Sequence, residues 1–300
     1  MTNLQKIEFD MLKEFVNICD TLGLKYYLVC GSALGAVKYK GFIPWDDDLD
    51  VALMRSDYVM FCEEAPKFLP EQLFLQTYIS DSKYPFLYGK LRNKNTAFIE
   101  TGVDCLNINH GVYIDIFPID GYPINVKEQQ RLEKQKRIYK FQTLSAVKPN
   151  LDMKLTTRAF LKVERICGCH NRTAKTLNKL TELLSLYKTE DSALWCNHGN
   201  WQGRLEYAPR EQYGNGTWAT FEDLKVRIPE RYDEYLTQKY GDWRADLPED
   251  QKVGHHYAEV IDLEHSYTDY IVKLKNGRIR LKTSEELLNA GITPPEGYKY

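Results

Sequence analysis

Four aspartates stand within five positions, Asp46, Asp47, Asp48 and Asp50, behind an apolar run and a Gly31-Ser32 pair. In Asp48-Leu49-Asp50-Val51 acid alternates with aliphatic residue. On an extended strand both carboxylates therefore leave one face, about 6.5 Å apart, while Leu49 and Val51 enter a core. So much negative charge at the rim of a sheet calls for a cation. A solvated acidic turn is the ordinary fate of a charge run, but it leaves the alternation with Leu49, Val51 and Leu53 unexplained. An EF-hand calcium loop also starts with acids at alternate positions, as Asp46, Asp48 and Asp50 do. Its sixth position demands glycine and here carries Val51, which excludes it. An Asp-x-Asp glycosyltransferase motif uses a cation similarly, yet does not account for the Gly-Ser turn upstream.

At 300 residues, with 43% hydrophobic and 27% charged side chains, the chain can bury a substantial core, as one large domain or as a core with an appended lobe. The formal net charge is −2 and no long basic run stands out, which argues against gripping nucleic-acid backbones. A small activated anion is the expected partner. No apolar stretch approaches the roughly 20 residues that span a bilayer, and Met1-Thr2-Asn3-Leu4-Gln5-Lys6 lacks the order of a signal peptide. The expectation is a cytoplasmic protein without a transmembrane segment, at most peripheral to the inner face of the membrane. Seven cysteines, an odd count, read as thiols rather than as a disulfide framework.

Leu4, Ile7, Met11, Phe15, Ile18 and Leu22 recur at helical spacing and Gly23 supplies a stop, so a helix precedes the strand Tyr26-Tyr27-Leu28-Val29-Cys30. Ser32 stands where an N-cap belongs before Ala33-Leu34-Gly35-Ala36-Val37, a turn that aims N–H groups at an anion. Further strands are expected over 49–54, 73–78, 86–91, 96–99 and 111–118. Asp115 interrupts the last of these, and a buried strand keeps a carboxylate when a partner offsets its desolvation. From about Lys127 to Lys188 the pattern is helical, with a break near Pro149, and a mixed region runs from Trp195 to Tyr240. Asn276-Gly277 marks a hairpin between 271–275 and 278–281. The fold class is α/β in the α+β sense: a mixed sheet flanked by helices, with a helical insertion and a C-terminal β-hairpin.

These parts suit phosphoryl or nucleotidyl transfer. Gly31 lets the backbone approach a phosphate and Ser32 can donate to it. Asp48 and Asp50 hold a cation, Asp46 supports them, and Asp115 completes the site as a ligand or takes the acceptor's proton. Oxygen ligands select Mg²⁺ or Mn²⁺ over zinc. Lys90 and Arg92, alternating along a strand, are candidates for the donor's phosphates; a solvated edge strand shows the same pattern. Cys167, Cys169 and His170 with Cys196 and His198 raise a structural zinc, which their short spacings disfavour. Trp195, Trp201 and Trp218 are candidates to stack on a base or sugar, or to cradle a quaternary ammonium, although core filling is the commoner fate.

Gly31-Ser32-Ala33-Leu34-Gly35 followed by Gly41-Phe42-Ile43-Pro44-Trp45-Asp46-Asp47-Asp48-Leu49-Asp50 resembles the LicD family, which includes fukutin-type enzymes and belongs to the nucleotidyltransferase superfold. The resemblance continues at Gly89-Lys90-Leu91-Arg92, Thr96, Ile99-Glu100, Ile114-Asp115-Ile116-Phe117-Pro118-Ile119-Asp120-Gly121, Pro229, Tyr232, Leu236 and Tyr240-Gly241-Asp242, covering about residues 5 to 257. It implies a nucleotidyltransferase-like catalytic core over 1–125, a helical and mixed lobe over 126–257, and a hairpin tail over 258–300 outside the match. It also implies donor-binding roles for Lys38, where many relatives carry Arg, and for His255 or His256. The implied activity is Mg²⁺-dependent transfer of a phospho-alcohol, phosphocholine or similar, from a CDP-linked or CMP-linked donor. The implied acceptor is a hydroxyl of a surface glycan (lipopolysaccharide, capsule or teichoic acid) or of its lipid-linked precursor. Two other readings stay open: a nucleotidyltransferase acting on a small acceptor, and a non-catalytic glycan-binding scaffold.

Overall fold

Helix α1 (Asn3–Leu22) forms where the apolar spacing calls for it. Thr2 caps it, its Oγ1 accepting from the Gln5 N–H while Gln5 Oε1 accepts from the Thr2 N–H, and Gly23 ends it in the left-handed region at φ 67°. The structure is a computed structural model and describes residues 1–144, 146–147, 156, 159, 163, 173–199, 206–254 and 257–300. Along the chain follow β1 (Tyr26–Leu28), α2 (Cys30–Lys38), β2 (Asp50–Met54), α3 (Arg55–Glu64), β3 (Leu73–Gln76), β4 (Gly89–Asn93), β5 (Ala97–Glu100) and β6 (Val112–Tyr122). Then come α4 (Val126–Leu144), α5 (Thr173–Leu184), β7 (Leu194–Asn197), β8 (Tyr207–Pro209), β9 (Thr217–Phe221), β10 (Leu224–Ile228) and α6 (Tyr232–Tyr240). The C-terminal part adds β11 (Ala258–Asp262), β12 (Ile271–Lys273), β13 (Ile279–Leu281) and α7 (Ser284–Asn289).

The main sheet has the order β1-β2-β6-β4-β3, with β7 pairing the far half of β6 and β8 pairing β7. β2 runs parallel to β6, and the other described pairs are antiparallel. Both central strands are buried on two faces, which explains their near-continuous apolar sequence. Val51, Leu53, Ile114 and Ile116 pack with Leu12 and Phe15 of α1 on one side. Ala52, Phe117 and Ile119 pack with Trp195, Tyr213 and Tyr235 on the other. The architecture is thus the mixed α+β arrangement expected, and β12 and β13 form the hairpin around Asn276-Gly277. β11 pairs with β5, so the segment after residue 257 is stitched to the core. Among the described residues no helix is long and apolar enough to cross a membrane.

One local expectation needs correcting, and two open readings are decided. α2 begins at Cys30, with Val29 as an N-cap lacking a side-chain bond, so Ser32 lies inside the first turn rather than at the cap. Its Oγ is drawn instead to β2, where it accepts the Asp50 N–H at 2.8 Å. β4 is an interior strand between β6 and β3, which rules out the solvated-edge reading of Lys90 and Arg92. Trp195 belongs to the core, Trp218 is exposed on β9, and Trp201 lies outside the described residues.

Arg55, the first residue of α3, ties this helix to β6 by a bidentate pair. Its Nε donates to Asp120 Oδ1 at 2.7 Å and its Nη2 to Oδ2 at 2.6 Å, with the Asp120 side chain fully buried. Removing one partner strands a buried charge. Asp120→Asn or Arg55→Met is therefore expected to lower stability by about 3–5 kcal/mol in urea unfolding. A loss below about 1 kcal/mol, as for an exposed pair, would contradict this role.

Candidate active site

The loop between α2 and β2 carries Asp46, Asp47 and Asp48, and it is pinned from two directions. From α1, Gln5 Nε2 donates to the carbonyls of Ile43 at 3.2 Å and Asp46 at 3.0 Å. From the β9–β10 hairpin, Glu222 Oε1 accepts the Phe42 N–H at 3.2 Å, and the Glu222 N–H donates to the Lys40 carbonyl at 2.7 Å. So held, Asp46, Asp47 and Asp48 bring carboxylate oxygens within 4.8 Å of one another. Gly31 is needed beside them, because a Cβ there would fall 2.9 Å from Asp46 Oδ2. Gly254 approaches from the opposite end of the chain, where a Cβ would lie 2.5 Å from Asp47 Oδ2. The two residues that follow it, His255 and His256, lie outside the described residues.

The pairing of β2 with β6 sets Asp50 directly opposite Asp115, and β4 sets Lys90 opposite Asp115 in turn. Asp50, Asp115 and Lys90 thus form one row across three strands. Burial pushes the Asp50 carboxyl well above its ordinary value, and the charges of Asp48, Asp115 and Asp46 push it further; Lys239 offsets part of this. At the other end of the row Lys90 Nζ lies 3.0 Å from Asp115 Oδ1 and 3.1 Å from Glu100 Oε1. Arg92, fully buried, donates to Glu100 Oε2 at 2.8 Å, Gln76 Oε1 at 2.8 Å and the Gly111 carbonyl at 2.7 Å. The ring of Tyr113 lies beneath both cations, 3.2 Å from Lys90 Nζ and 4.6 Å from the Arg92 guanidinium carbon. Burial alone would raise Glu100, but Lys90 and Arg92 override it and hold the carboxyl well below the usual range.

Asp46, Asp48 and Asp50 line a cleft of about 420 Å³ together with Cys30, Gly31 and Lys38. The facing wall comes from Lys239, Tyr240, Asp242 and Trp243. Lys38 is committed to that wall: its Nζ lies 2.7 Å from the Ala245 carbonyl, 3.1 Å from the Arg244 carbonyl and 3.1 Å from Asp246 Oδ1. Four hard carboxylates, Asp46, Asp47, Asp48 and Asp50, crowded in a half-buried setting are a donor set that fits Mg²⁺ or Mn²⁺. Cys196 Sγ and His198 Nδ1 lie 3.5 Å apart, with Lys136 Nζ 3.3 Å from the same nitrogen. Burial and that ammonium hold His198 at about 3. Cys167, Cys169 and His170 lie outside the described residues.

Sequence reading gave Asp47 no role and passed over Lys239 and Glu8. Glu8 sits on the buried face of α1 one turn from Gln5, is 1% exposed, and its Oε2 has no hydrogen-bond partner. Burial, then Asp48, Asp47, Asp46 and Asp115, raise its carboxyl well above the ordinary value. The signal was present in the sequence, since an acid at position 8 falls on the same face as Leu4, Met11 and Phe15.

The chain thus combines a mixed sheet, a turn and helix after its first strand, and acids paired across two adjacent parallel strands, of which Asp50 lines a cleft. Residues 23–164 match the family model described as LicD/FKTN/FKRP, nucleotidyltransferase domain. It is 27% identical over 261 residues to the lipopolysaccharide cholinephosphotransferase LicD of Haemophilus influenzae, covering 85% of this chain and 95% of that protein. An uncharacterized protein of Rickettsia prowazekii is 28% identical over 151 residues, 47% of this chain and 49% of the relative.

Glu100 makes the charge row testable through pH. Glu100→Gln leaves two buried cations short of a partner and is expected to cost about 3–5 kcal/mol near neutral pH. The folded carboxyl titrates far below its ordinary 4.5, so its contribution is complete above that value and is lost as the pH falls through the folded one. Urea unfolding of wild type and variant should therefore differ most at neutral pH and converge in acid. A gap that stays constant down to about pH 3 would sink the assignment.

Proposed function

We propose that this chain is a divalent-cation-dependent phosphotransferase, moving a phospho-alcohol from a CDP-linked donor to a hydroxyl of a cell-surface glycan or its lipid-linked precursor, with release of CMP. The observation that carries this reading is that Asp46, Asp48 and Asp50 line a cleft of about 420 Å³, a size suited to a small ligand, with Asp115 of a second segment beside Asp50 on the neighbouring strand. The name of the Haemophilus influenzae relative supports phosphocholine as the class of head group and lipopolysaccharide as the class of acceptor. On this reading the cleft lies between the 1–125 core, which brings the acids, and the 126–257 lobe, which brings Lys239, Tyr240 and Trp243.

In the transfer, the acceptor oxygen bonds to the phosphorus of the phospho-alcohol as the bond from that phosphorus to the CMP oxygen breaks. Asp48 and Asp50, helped by Asp46 and Asp115, would hold Mg²⁺ or Mn²⁺, which supplies charge neutralisation on the phosphate oxygens. Lys90 at 3.0 Å favours the charged form of Asp115, which suits a ligand better than a base. The acceptor's proton then passes to a carboxylate of Asp46 or Asp48, which line the cleft. Gly31 and the first-turn N–H groups of α2 sit at the cleft floor, where a helix N-terminus favours phosphate.

Incubation with CDP-choline and Mg²⁺ and a glycan acceptor, followed by mass analysis, separates the two enzyme classes. Free CMP with a phospho-alcohol adduct supports the proposal, whereas an adduct carrying the nucleotide supports nucleotidyl transfer. Asp48→Asn and Asp115→Asn are expected to fold as wild type by circular dichroism yet lose turnover by orders of magnitude. Near-normal transfer by either variant overturns the assignment.

A further inference from the structure

We infer that Lys239 is a phosphate contact for the donor in this cleft, held in place by Glu206. This deepens the proposed function and rests on its premise that the donor carries a diphosphate. Lys239 comes from the last turn of α6 and its side chain is 4% exposed, with Nζ 3.0 Å from Glu206 Oε2, itself 3% exposed. It lines the same cleft as Gly31, Asp48 and Asp50, and its charge bears on Asp50. The other cations near the acids are engaged elsewhere: Lys90 and Arg92 by Glu100, and Lys38 by the 244–246 backbone and Asp246.

A purely structural pair would sit behind the wall, and apolar residues would serve as well there. Lys239 instead lines the cleft that Asp46, Asp48 and Asp50 also line, so a diphosphate whose oxygens share a cation with those carboxylates meets a second positive charge at the lysine. Its partner is also incompletely used, since Glu206 Oε1 is buried without a hydrogen-bond partner. The pair fixes one direction of the ammonium through a charge-assisted bond, and the remaining protons of a lysine are donors for phosphate oxygens.

The test compares binding of CDP and of cytidine by calorimetry in Mg²⁺, for wild type, Lys239→Arg and the double variant Lys239→Gln/Glu206→Gln, which leaves no buried charge unpaired. The double variant is expected to bind CDP about 10- to 100-fold more weakly, with cytidine affinity unchanged and Lys239→Arg close to wild type. Equal CDP affinity in a folded double variant overturns the inference, and so does an equal loss for cytidine, which marks a wall-packing role. Wild type that binds no CDP in Mg²⁺ removes the proposed function as well, so the two failures are distinguishable. Independently of folding of any variant, the side-chain nitrogen resonance of Lys239 in ¹⁵N-lysine-labelled wild type should shift with CDP and not with cytidine. No shift at saturating CDP also overturns it.

Discussion

The parallel pairing of β2 with β6 puts Asp50 beside Asp115, and the rest of the site is arranged around the repulsion this creates. Two unit charges 4 Å apart repel by about 4 kcal/mol at the effective dielectric of a protein near its surface. Asp48 and Asp46 add to the same field, and burial denies it the screening of water. The molecule answers differently at the two ends of the row. At the inner end Lys90 and Arg92 neutralise Asp115 and Glu100 with direct bonds. Towards the cleft the carboxylates crowd together, and the raised pKa of Asp50 shows what that crowding costs. A site built this way is stabilised by what binds it, because a divalent ion removes the repulsion that folding alone has to carry.

Holding such a loop in place falls to elements far away in sequence. Gln5 of α1 anchors the Ile43 and Asp46 carbonyls, and Glu222 of the β9–β10 hairpin anchors the Lys40–Phe42 stretch. Tyr235 of α6 accepts the Cys30 N–H at 3.0 Å, supporting a residue that takes φ 51° without being glycine. Strain at the β1–α2 turn is thus over-determined by packing from the second lobe, as is usual where a turn must present its backbone to a ligand. Lys38 closes the arrangement by gripping the 243–246 segment, so the two walls of the cleft are joined at its rim.

Much of this was legible in the residues. The apolar runs around Asp50 and Asp115 gave the two neighbouring strands, but the alternation expected to put Asp48 and Asp50 on one strand face failed at Asp48, which stays in the loop because β2 begins at Asp50. The hairpin at Asn276-Gly277 and the cap of α1 followed from turn and helix-end chemistry. What escaped depended on sheet order, which local pattern does not encode. Lys90 and Arg92 look like a solvated edge until β4 is known to lie between β6 and β3, where each must find a buried acid. Ser32 looks like a cap because capping is the commonest fate of serine before a helix; its hydroxyl goes to the Asp50 N–H because β2 passes within reach. Trp195 takes the commoner fate and fills the core, whereas the aromatic side chains on the cleft wall are Tyr39, Trp45, Tyr240 and Trp243, whose convergence depends on where α6 and the segment after it pack.

The polarity of the charge row also orients whatever enters. Asp115 is balanced on its inner side by Lys90, while Asp46, Asp48 and Asp50 line the cleft together with Lys239. On the proposed function, an anion with charges spread over two phosphates would have one favourable direction: its oxygens between a cation held by those carboxylates and the lysine, its uncharged ends towards the aromatic rim. Glu8, buried under the loop from the α1 side with Oε2 unpaired, has its carboxyl raised by burial and by the same acids, so it is held towards its neutral form behind them. A fold that wanted only stability would not keep a carboxyl there, since an unsatisfied buried acid costs more than the apolar residue that could replace it. Its retention on an otherwise apolar helix face ties the N-terminal helix to the electrostatics of the cleft rather than to the core alone.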